Sequence, residues 1–199
     1  MSNRLNESFF TRDTVQVARD LVGKRLVRLE GKQRISGIIL ETEAYRGEED
    51  LACHCRAGRT PRTEIMYGPA GRAYIYLIYG MYWLLNFVTE TEGSPGAVLI
   101  RAIAPEEGKS IIAQRRGNQP EKHWTDGPGK ISIALGLNGD LNGLDTCAPR
   151  ADIFIENGHD LNPTLINAGP RVGLVSVPEP WRSIPWRFVV NYQQLFNGY

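Results

Sequence analysis

The chain has 199 residues, 42% of them hydrophobic, and a formal net charge of +1 at neutral pH. This length suffices for one sizeable hydrophobic core and is short for two, so a single domain over residues 1–199 is expected. The small net charge excludes a molecule-wide attraction to a polyanion, and any surface for nucleic acid must therefore be local.

Cysteine usage and hydropathy indicate a compartment. The three cysteines, Cys53, Cys55 and Cys147, are an odd number, and the N-terminus has no signal-like character. No apolar run reaches the length of a membrane span, so a soluble protein of a reducing, intracellular compartment is expected. The Cys53-His54-Cys55 triplet lacks the CxxC spacing of zinc sites, and neighbouring residues of an extended chain point in opposite directions. No metal site is expected there.

The first predicted elements are a helix and a β-hairpin. Residues 13–22 place apolar side chains on one helical face, with Thr11 as a possible N-cap and Gly23 as the stop. This helix is expected to cover a sheet. Residues 24–30 and 33–45 then have strand patterns joined by a tight turn.

The second of these strands ends in the pentapeptide Glu41-Thr42-Glu43-Ala44-Tyr45. Strand alternation places Glu41, Glu43 and Tyr45 on one face. Two carboxylates on one face suit an acid or base site. Taken alone, however, the pentapeptide is more typical of an exposed strand end with solvated charges.

Residues 46–71 form a long loop punctuated by Gly and Pro. Loops of this length are often functional, and Thr60 with Pro61 at the first helical position could open a short helix. The segment 51–63 carries three arginines and no acidic residue; they are Arg56, Arg59 and Arg62. Such a cluster suits a phosphate backbone, although loop arginines are often only solvated.

Residues 73–83, AYIYLIYGMYW, predict two strands that meet at a tight turn. Tyr74 and Tyr82 fit ordinary packing along the strands. Tyr79 directly precedes Gly80 and is expected at the turn, where its side chain projects. A projecting aromatic is what a protein needs to fill the gap left by a base removed from duplex DNA, and Met81 is close enough to help separate a base step.

The second half of the chain completes the predicted sheet. Residues 97–104 predict a strand with Arg101 as a lone buried charge that needs a partner. Residues 105–116 predict a helix, and residues 151–155 and 172–177 predict strands. An aromatic cluster is assigned to the core; its members are Trp181, Trp186 and Phe188.

A further helix is predicted to begin at Gly127-Pro128-Gly129-Lys130. Free backbone N–H groups beside Lys130 suit a phosphate. The second half of a P-loop is missing, so nucleotide hydrolysis is not implied.

These motifs occur in one order from about residue 8 to about residue 188: ETEAY, the His54 loop, YIYLIYGMYW with Asn86, the Arg101 strand and the DGPGK helix start. Together they resemble the alkyladenine (3-methyladenine, methylpurine) DNA glycosylase family. The resemblance implies a mixed α/β (α+β) domain with a curved antiparallel sheet, flanking helices and a protruding β-hairpin that inserts into DNA.

The resemblance also implies an activity: a base-excision-repair enzyme that flips alkylated or deaminated purines out of double-stranded DNA and hydrolyses the N-glycosidic bond. 3-Methyladenine, 7-methylguanine, hypoxanthine and ethenoadenine all fit as substrates. No lysine occurs in residues 41–45 or 73–86, so the enzyme is expected to leave an abasic site without a lyase step. No cofactor and no membrane are expected, and a monomer is the default. The compartment would be the bacterial cytoplasm (nucleoid) or the eukaryotic nucleus.

By position, Glu43 resembles the general base of the family, and Arg101 a residue that positions the water or a phosphate. Tyr79 resembles the intercalating residue. The remaining implied roles are the base pocket for Tyr45, His54, Tyr76 and Asn86, and phosphate contact for Lys130.

Two other classes stay open at this level. A damaged-DNA binding module would use the Tyr79 wedge and the basic loop without chemistry, but has no need of Glu43. A nucleoside hydrolase would need neither wedge nor basic loop. A zinc-dependent base deaminase is excluded, because its HxE and PCxxC motifs are missing from the chain.

Overall fold

A computed structural model describes residues 3–159, 161–191 and 193. The remaining positions of the predicted 1–199 domain lie outside the described residues. In the described part, the chain forms one antiparallel sheet with helices packed against it, which confirms the predicted mixed α/β class. The strands are β1 (Arg25–Glu30), β2 (Gln33–Arg46), β3 (Ala73–Ile78), β4 (Tyr82–Val88), β5 (Gly96–Glu107), β6 (Ile153–Glu156), β7 (Asn167–Gly169) and β8 (Arg187–Val189).

The strand order is β3-β4-β5-β2-β1-β6, with β8 paired to β2 and β7 paired to β8. The helices are α1 (Glu7–Phe10), α2 (Thr14–Leu21), α3 (Lys109–Arg116) and α4 (Pro128–Leu135). Short 3₁₀ turns lie at His54–Ala57, Glu64–Tyr67, Glu121–His123, Gly139–Leu141 and Pro163–Leu165. No helix in residues 3–159, 161–191 and 193 is long and apolar enough to cross a membrane.

β2 is the central strand, and it makes antiparallel pairs with β1, β5 and β8. The predicted β1–β2 hairpin is confirmed. The β2–β5 register shifts on both sides of Glu41, and such irregularities re-aim side chains near functional sites. Gly37 is required in β2, because a Cβ there would lie 2.6 Å from the carbonyl oxygen of Ala104.

The core fills the space between the sheet and helices α2 and α4. Val17, Ala18 and Leu21 of α2 are fully buried, as is Ile131 of α4. Burial of each of the Val, Leu and Ile side chains contributes roughly 1.5–3 kcal/mol. The helix predicted over residues 13–22 is present as α2. Its N-cap is Asp13, whose carboxylate accepts from the N–H groups of residues 15 and 16. The hydroxyl of Thr11 instead donates to a carbonyl of α1.

The predicted helix over residues 105–116 begins later, at Lys109. Strand β5 continues to Glu107, where the Glu107 carboxylate accepts from the hydroxyl of Ser36 (2.6 Å) and from Nε of Arg34 (2.7 Å). The long β2 offers partners to residues 105–107, and a helix would leave them unused. Gly108, at φ 69°, then turns the chain into α3.

Two local predictions in loops had different outcomes. The hydroxyl of Thr60 accepts from the N–H of Thr63, as expected of a cap, but residues 61–63 form a turn and the short helix begins at Glu64. The predicted strand at 172–177 is a series of turns. By contrast, β6 confirms the strand predicted at 151–155, and Phe188 is buried in the core as predicted.

The tyrosine-rich hairpin has the predicted form. β3 and β4 pair from Ala73–Phe87 to Ile78–Tyr82. Tyr79 (φ 53°) and Gly80 (φ 67°) both adopt positive φ in the connection. Only glycine does so without steric cost, which explains the position of Gly80.

Candidate active site

A cavity of about 390 Å³ opens between the hairpin, the loop after β2, strand β5, the start of α4 and residues 172–174. Aromatic side chains dominate its walls. The lining residues that belong to the predicted site are Tyr45, His54, Tyr76, Tyr79, Asn86 and Arg101. The fold thus brings together around one cavity six of the twelve predicted site residues, which are spread over more than 50 positions of the chain.

Glu43 lies directly behind this wall, with a side chain that is 0% exposed. Its Oε1 accepts from the backbone N–H of Val172 at 2.6 Å, and its Oε2 accepts from the hydroxyl of Tyr45 at 2.8 Å. Nη1 of Arg101 lies 3.4 Å from Oε2. The interpretation of residues 41–45 as a solvated strand end is therefore wrong, because β5 and β8 flank this part of β2 and the segment at Val172 covers Glu43.

Burial is the largest influence on Glu43 and raises the pKa of its carboxyl above the ordinary value. Arg101, the Val172 N–H and the Tyr45 hydroxyl oppose that rise, and Glu41 adds to it. Each carboxylate oxygen can accept two hydrogen bonds, so the three donors leave one acceptor position open to a further donor.

Arg101 has the partners that its sequence position required. Its Nε lies 3.0 Å from Oε1 of Glu41, and the same oxygen lies 3.2 Å from Nη1 of Arg187 on β8. Two carboxylates and two guanidinium groups thus alternate beside the cavity. Bridging by Arg101 confirms that Glu41 and Glu43 share a face of β2.

His54 belongs to the aromatic wall. Its Nδ1 lies 2.8 Å from the hydroxyl of Tyr74, and its ring centroid lies 4.6 Å from that of Tyr76. Burial, followed by the charges of Arg62 and Arg56, lowers the pKa of His54 to about 4. The imidazole is therefore neutral at physiological pH, with one donor and one acceptor nitrogen.

The tyrosines are protonated in this wall. Burial is the main cause that raises the pKa of Tyr45, Tyr74 and Tyr76 above the usual value. Tyr74 is buried in a hydrophobic cluster, as predicted, and it also lines the cavity, as does Tyr82. Asn86 is buried, and its Nδ2 donates to the carbonyl oxygen of Tyr74 at 3.0 Å.

The tip of the hairpin is apolar and exposed. Tyr79 is 85% exposed and Met81 is 64% exposed. Tyr79 also borders the cavity. The tip and the cavity mouth therefore form one continuous surface.

The predicted phosphate contacts are less uniform. Arg56 and Arg62 are exposed, and Arg62 lies over the ring of Tyr76 at 5.2 Å. Arg59 lies 3.5 Å from a carboxylate oxygen of Glu64. Lys130 pairs at 2.7 Å with Asp126, four residues earlier.

Sequence reasoning missed the segment 170–174. Val172 donates to Glu43, and residues 172–174 line the cavity. Arg171, just before them, makes a fully buried ion pair with Asp50. Pro170 and Gly173 were the available signal, since they argue against a strand here. In the described part of the chain, no group of three or more His, Cys, Asp or Glu side chains could hold a metal ion.

Comparison with known proteins gives the class of protein. A family model described as "Methylpurine-DNA glycosylase (MPG)" matches residues 8–194. The chain belongs to the methylpurine-DNA glycosylase family and is a DNA glycosylase, an enzyme of DNA repair.

Three similar proteins carry the name "Putative 3-methyladenine DNA glycosylase". The one from Myxococcus xanthus is 45% identical over 192 residues, covering 96% of this chain and 92% of its own. Another, from Methanocella arvoryzae, is 45% identical over 185 residues, covering 92% and 90% of the two chains. The relative from Desulfitobacterium hafniense is 42% identical over 200 residues, covering 96% and 97%.

Proposed function

We propose that this DNA glycosylase flips a damaged purine out of duplex DNA into the aromatic cavity and hydrolyses its N-glycosidic bond with water activated by Glu43. The observation that carries the proposal is the position of Glu43. It is a buried carboxylate, held by three donors, directly behind the cavity wall.

Glu43 suits the chemistry of this bond. Cleavage passes through an oxocarbenium-like sugar, so a nearby carboxylate both stabilises positive charge and accepts a proton from water. Arg101 and the two hydrogen bonds counter the effect of burial and favour the ionised form that a base requires.

The aromatic wall suits alkylated purines. Tyr45 and Tyr76 offer stacking faces, and a cationic alkylated purine gains about 0.5–2 kcal/mol from cation–π attraction. A neutral His54 does not repel such a base. Asn86, fixed by its bond to Tyr74, would discriminate among purines by their exocyclic groups. The substrates that fit are 3-methyladenine, 7-methylguanine, hypoxanthine and ethenoadenine.

The exposed hairpin tip suits insertion into DNA. Tyr79 would occupy the space of the extruded nucleotide, and Met81 would help to separate the base step. Phosphate contacts are assigned to Arg56, Arg59 and Arg62, and to Lys130, which would exchange the carboxylate of Asp126 for a phosphate. One wedge beside one pocket engages one lesion, so a monomer suffices.

The product is proposed to be an abasic site. Among the described residues that line the cavity there is no lysine, so a Schiff-base lyase step has no nucleophile at hand. Strand cleavage by β-elimination that is lost on replacing a single lysine would contradict this assignment.

The first test is single-turnover release of hypoxanthine from a duplex with one inosine, comparing wild type with Glu43→Gln at equal, verified DNA binding. Loss of the general base should lower the rate of hypoxanthine release by about 100-fold or more. Glu41→Gln is the matched control, since it removes the neighbouring carboxylate that also binds Arg101. Undiminished release by Glu43→Gln would contradict the role of Glu43.

The nucleoside-hydrolase alternative has its own test. A protein that neutralises DNA phosphates with basic side chains loses affinity for duplex steeply as the salt concentration rises. Salt-independent binding to damaged duplex, together with release of bases from free nucleosides, would favour that alternative.

A further inference from the structure

Arg171 and Asp50 form an ion pair whose two side chains are both 0% exposed. The pair is bidentate: Nη1 lies 2.5 Å from Oδ2, and Nη2 lies 2.9 Å from Oδ1. Removing two charges from water is costly, and the attraction within such a pair often only offsets that cost. Stability alone is therefore a weak reason for a pair at this place.

The Arg171–Asp50 pair is connected by hydrogen bonds to the residues next to Glu43. Nη1 of Arg171 also donates to the carbonyl oxygen of Ala44 at 2.9 Å, next to Glu43 on β2. Nη2 donates to the carbonyl oxygen of Trp181 at 3.1 Å. Val172, the next residue after Arg171, donates its N–H to Glu43 at 2.6 Å.

The same guanidinium supports the cavity wall from behind. Its central carbon lies 4.8 Å from the ring centroid of Tyr45 and 5.2 Å from that of Trp186. Tyr45 lines the cavity, whereas Arg171 does not. Arg171 therefore acts on the reacting groups indirectly, through Val172, Tyr45 and the carbonyl of Ala44.

We propose that Arg171, oriented by Asp50, is a positioning residue that holds the Val172 N–H against Glu43 and holds the ring of Tyr45 in the cavity wall. Asp50 is itself fixed, because its oxygens accept from the N–H groups of Arg46 (3.2 Å) and Ala52 (3.0 Å). The loop before the active-site histidine and the segment after β7 are thus locked to β2 at one point. This inference rests on the proposed role of Glu43.

The test uses Arg171→Lys, which keeps the positive charge but loses the planar fork that binds Asp50 and two carbonyl groups at once. Asp50→Asn is the second variant, because it keeps the shape of the side chain and repeats the test if Arg171→Lys fails to fold. Arg28→Lys is the matched control: Arg28 is also buried and lies on β1, where it donates to the carbonyl oxygen of Leu29.

For each folded variant, three quantities are measured: the unfolding midpoint, the affinity for damaged duplex, and the single-turnover rate of base release as a function of pH. We expect about a 100-fold lower rate for Arg171→Lys, because small misplacements at a reacting centre cost about that much. We also expect the acid limb of the pH–rate profile to move to higher pH, since Glu43 loses a hydrogen bond that lowers its pKa.

The other groups that face Glu43 are unchanged in these variants: Glu41 and Tyr45 on β2, Arg101 on β5 and Tyr76 on β3. A moved acid limb therefore reports on the two donors that Arg171 positions, the Val172 N–H and the Tyr45 hydroxyl. Arg28→Lys should leave both the rate and the limb as in wild type.

A folded Arg171→Lys enzyme with the wild-type rate and limb would overturn the proposal. A lower rate with an unmoved limb would also overturn it, because it would indicate a purely structural pair. Failure of the proposed function looks different: Glu43→Gln would then release the base at the wild-type rate, whatever Arg171→Lys does.

Discussion

The hydroxyl of Tyr45 donates a 2.8 Å hydrogen bond to Oε2 of Glu43, two residues earlier on the same strand. The residue whose ring lines the cavity is thus also a donor to the buried carboxylate behind it. If the cavity binds a base as proposed, one side chain couples that binding to the acidity of Glu43.

Tyr45→Phe separates these two roles, since it keeps the ring and removes the donor. A hydrogen bond to a charged group is worth about 1.5–3 kcal/mol, and 1.36 kcal/mol corresponds to about one pKa unit. The pKa of Glu43 should rise, and the acid limb of the single-turnover profile should move up by about one pH unit. Tyr67→Phe removes a comparable Tyr–Glu bond, from Tyr67 to Glu48, and should leave the limb unchanged. An unmoved limb in Tyr45→Phe would contradict the coupling.

The lowered pKa of His54 makes the free energy of unfolding depend on pH. Its pKa is about 4 in the folded protein, against about 6.5 for an unperturbed histidine, so it is neutral when folded. Between these values the unfolded chain binds a proton that the folded chain does not, and stability falls as the pH is lowered. Urea denaturation at pH 7 and pH 5 should show a smaller pH dependence for His54→Gln than for wild type. Equal pH dependence would contradict the assignment.

Tyr79→Ala tests the wedge. The side chain is 85% exposed, so the free energy of unfolding should change by no more than about 0.5 kcal/mol. Base release should slow by about 10-fold or more, because the gap in the stack is unfilled, at a cost of a few kcal/mol. Tyr79→Phe keeps the flat ring and should behave as wild type. Single-turnover rates of both variants and wild type are compared on one duplex. Equal rates for Tyr79→Ala and wild type would contradict insertion of the Tyr79 ring.

Lys130 tests the phosphate contact at the start of α4. If Lys130 meets a phosphate, Lys130→Ala should weaken duplex binding on all sequences and reduce the slope of log affinity against log salt by about 1. Lys109→Ala is the control, because Lys109 likewise pairs with a carboxylate, that of Glu121. Identical slopes for the two variants would count against the contact.

Phe87 tests the packing that supports the hairpin. It is fully buried on β4, and its ring stacks on that of Phe10 with centroids 5.8 Å apart. Phe87→Ala should lower the free energy of unfolding by about 3–5 kcal/mol. Leu77→Ala, at an exposed position of β3, should cost far less. Chemical denaturation of both variants checks the difference.

The sequence by itself determined the elements that depend on nearby residues. Alternation predicted β1 and β2, and the tyrosine-rich run with Gly80 predicted the β3–β4 hairpin, because side-chain period and turn conformation are local properties. The order of the motifs predicted the family. Arg101, as the single charge in an apolar strand, correctly indicated acidic partners, since a buried guanidinium requires them.

Only the tertiary structure decided how deeply Glu43 is buried and what surrounds it. Its hydrogen bond from Val172 spans 129 residues, and the bond from Arg171 to Asp50 spans 121. Residues 105–107 became strand because β2 offered partners, and residues 172–177 became turns, of which residues 172–174 line the cavity. Such outcomes depend on which backbone groups and charges meet in space, and local patterns do not carry that information.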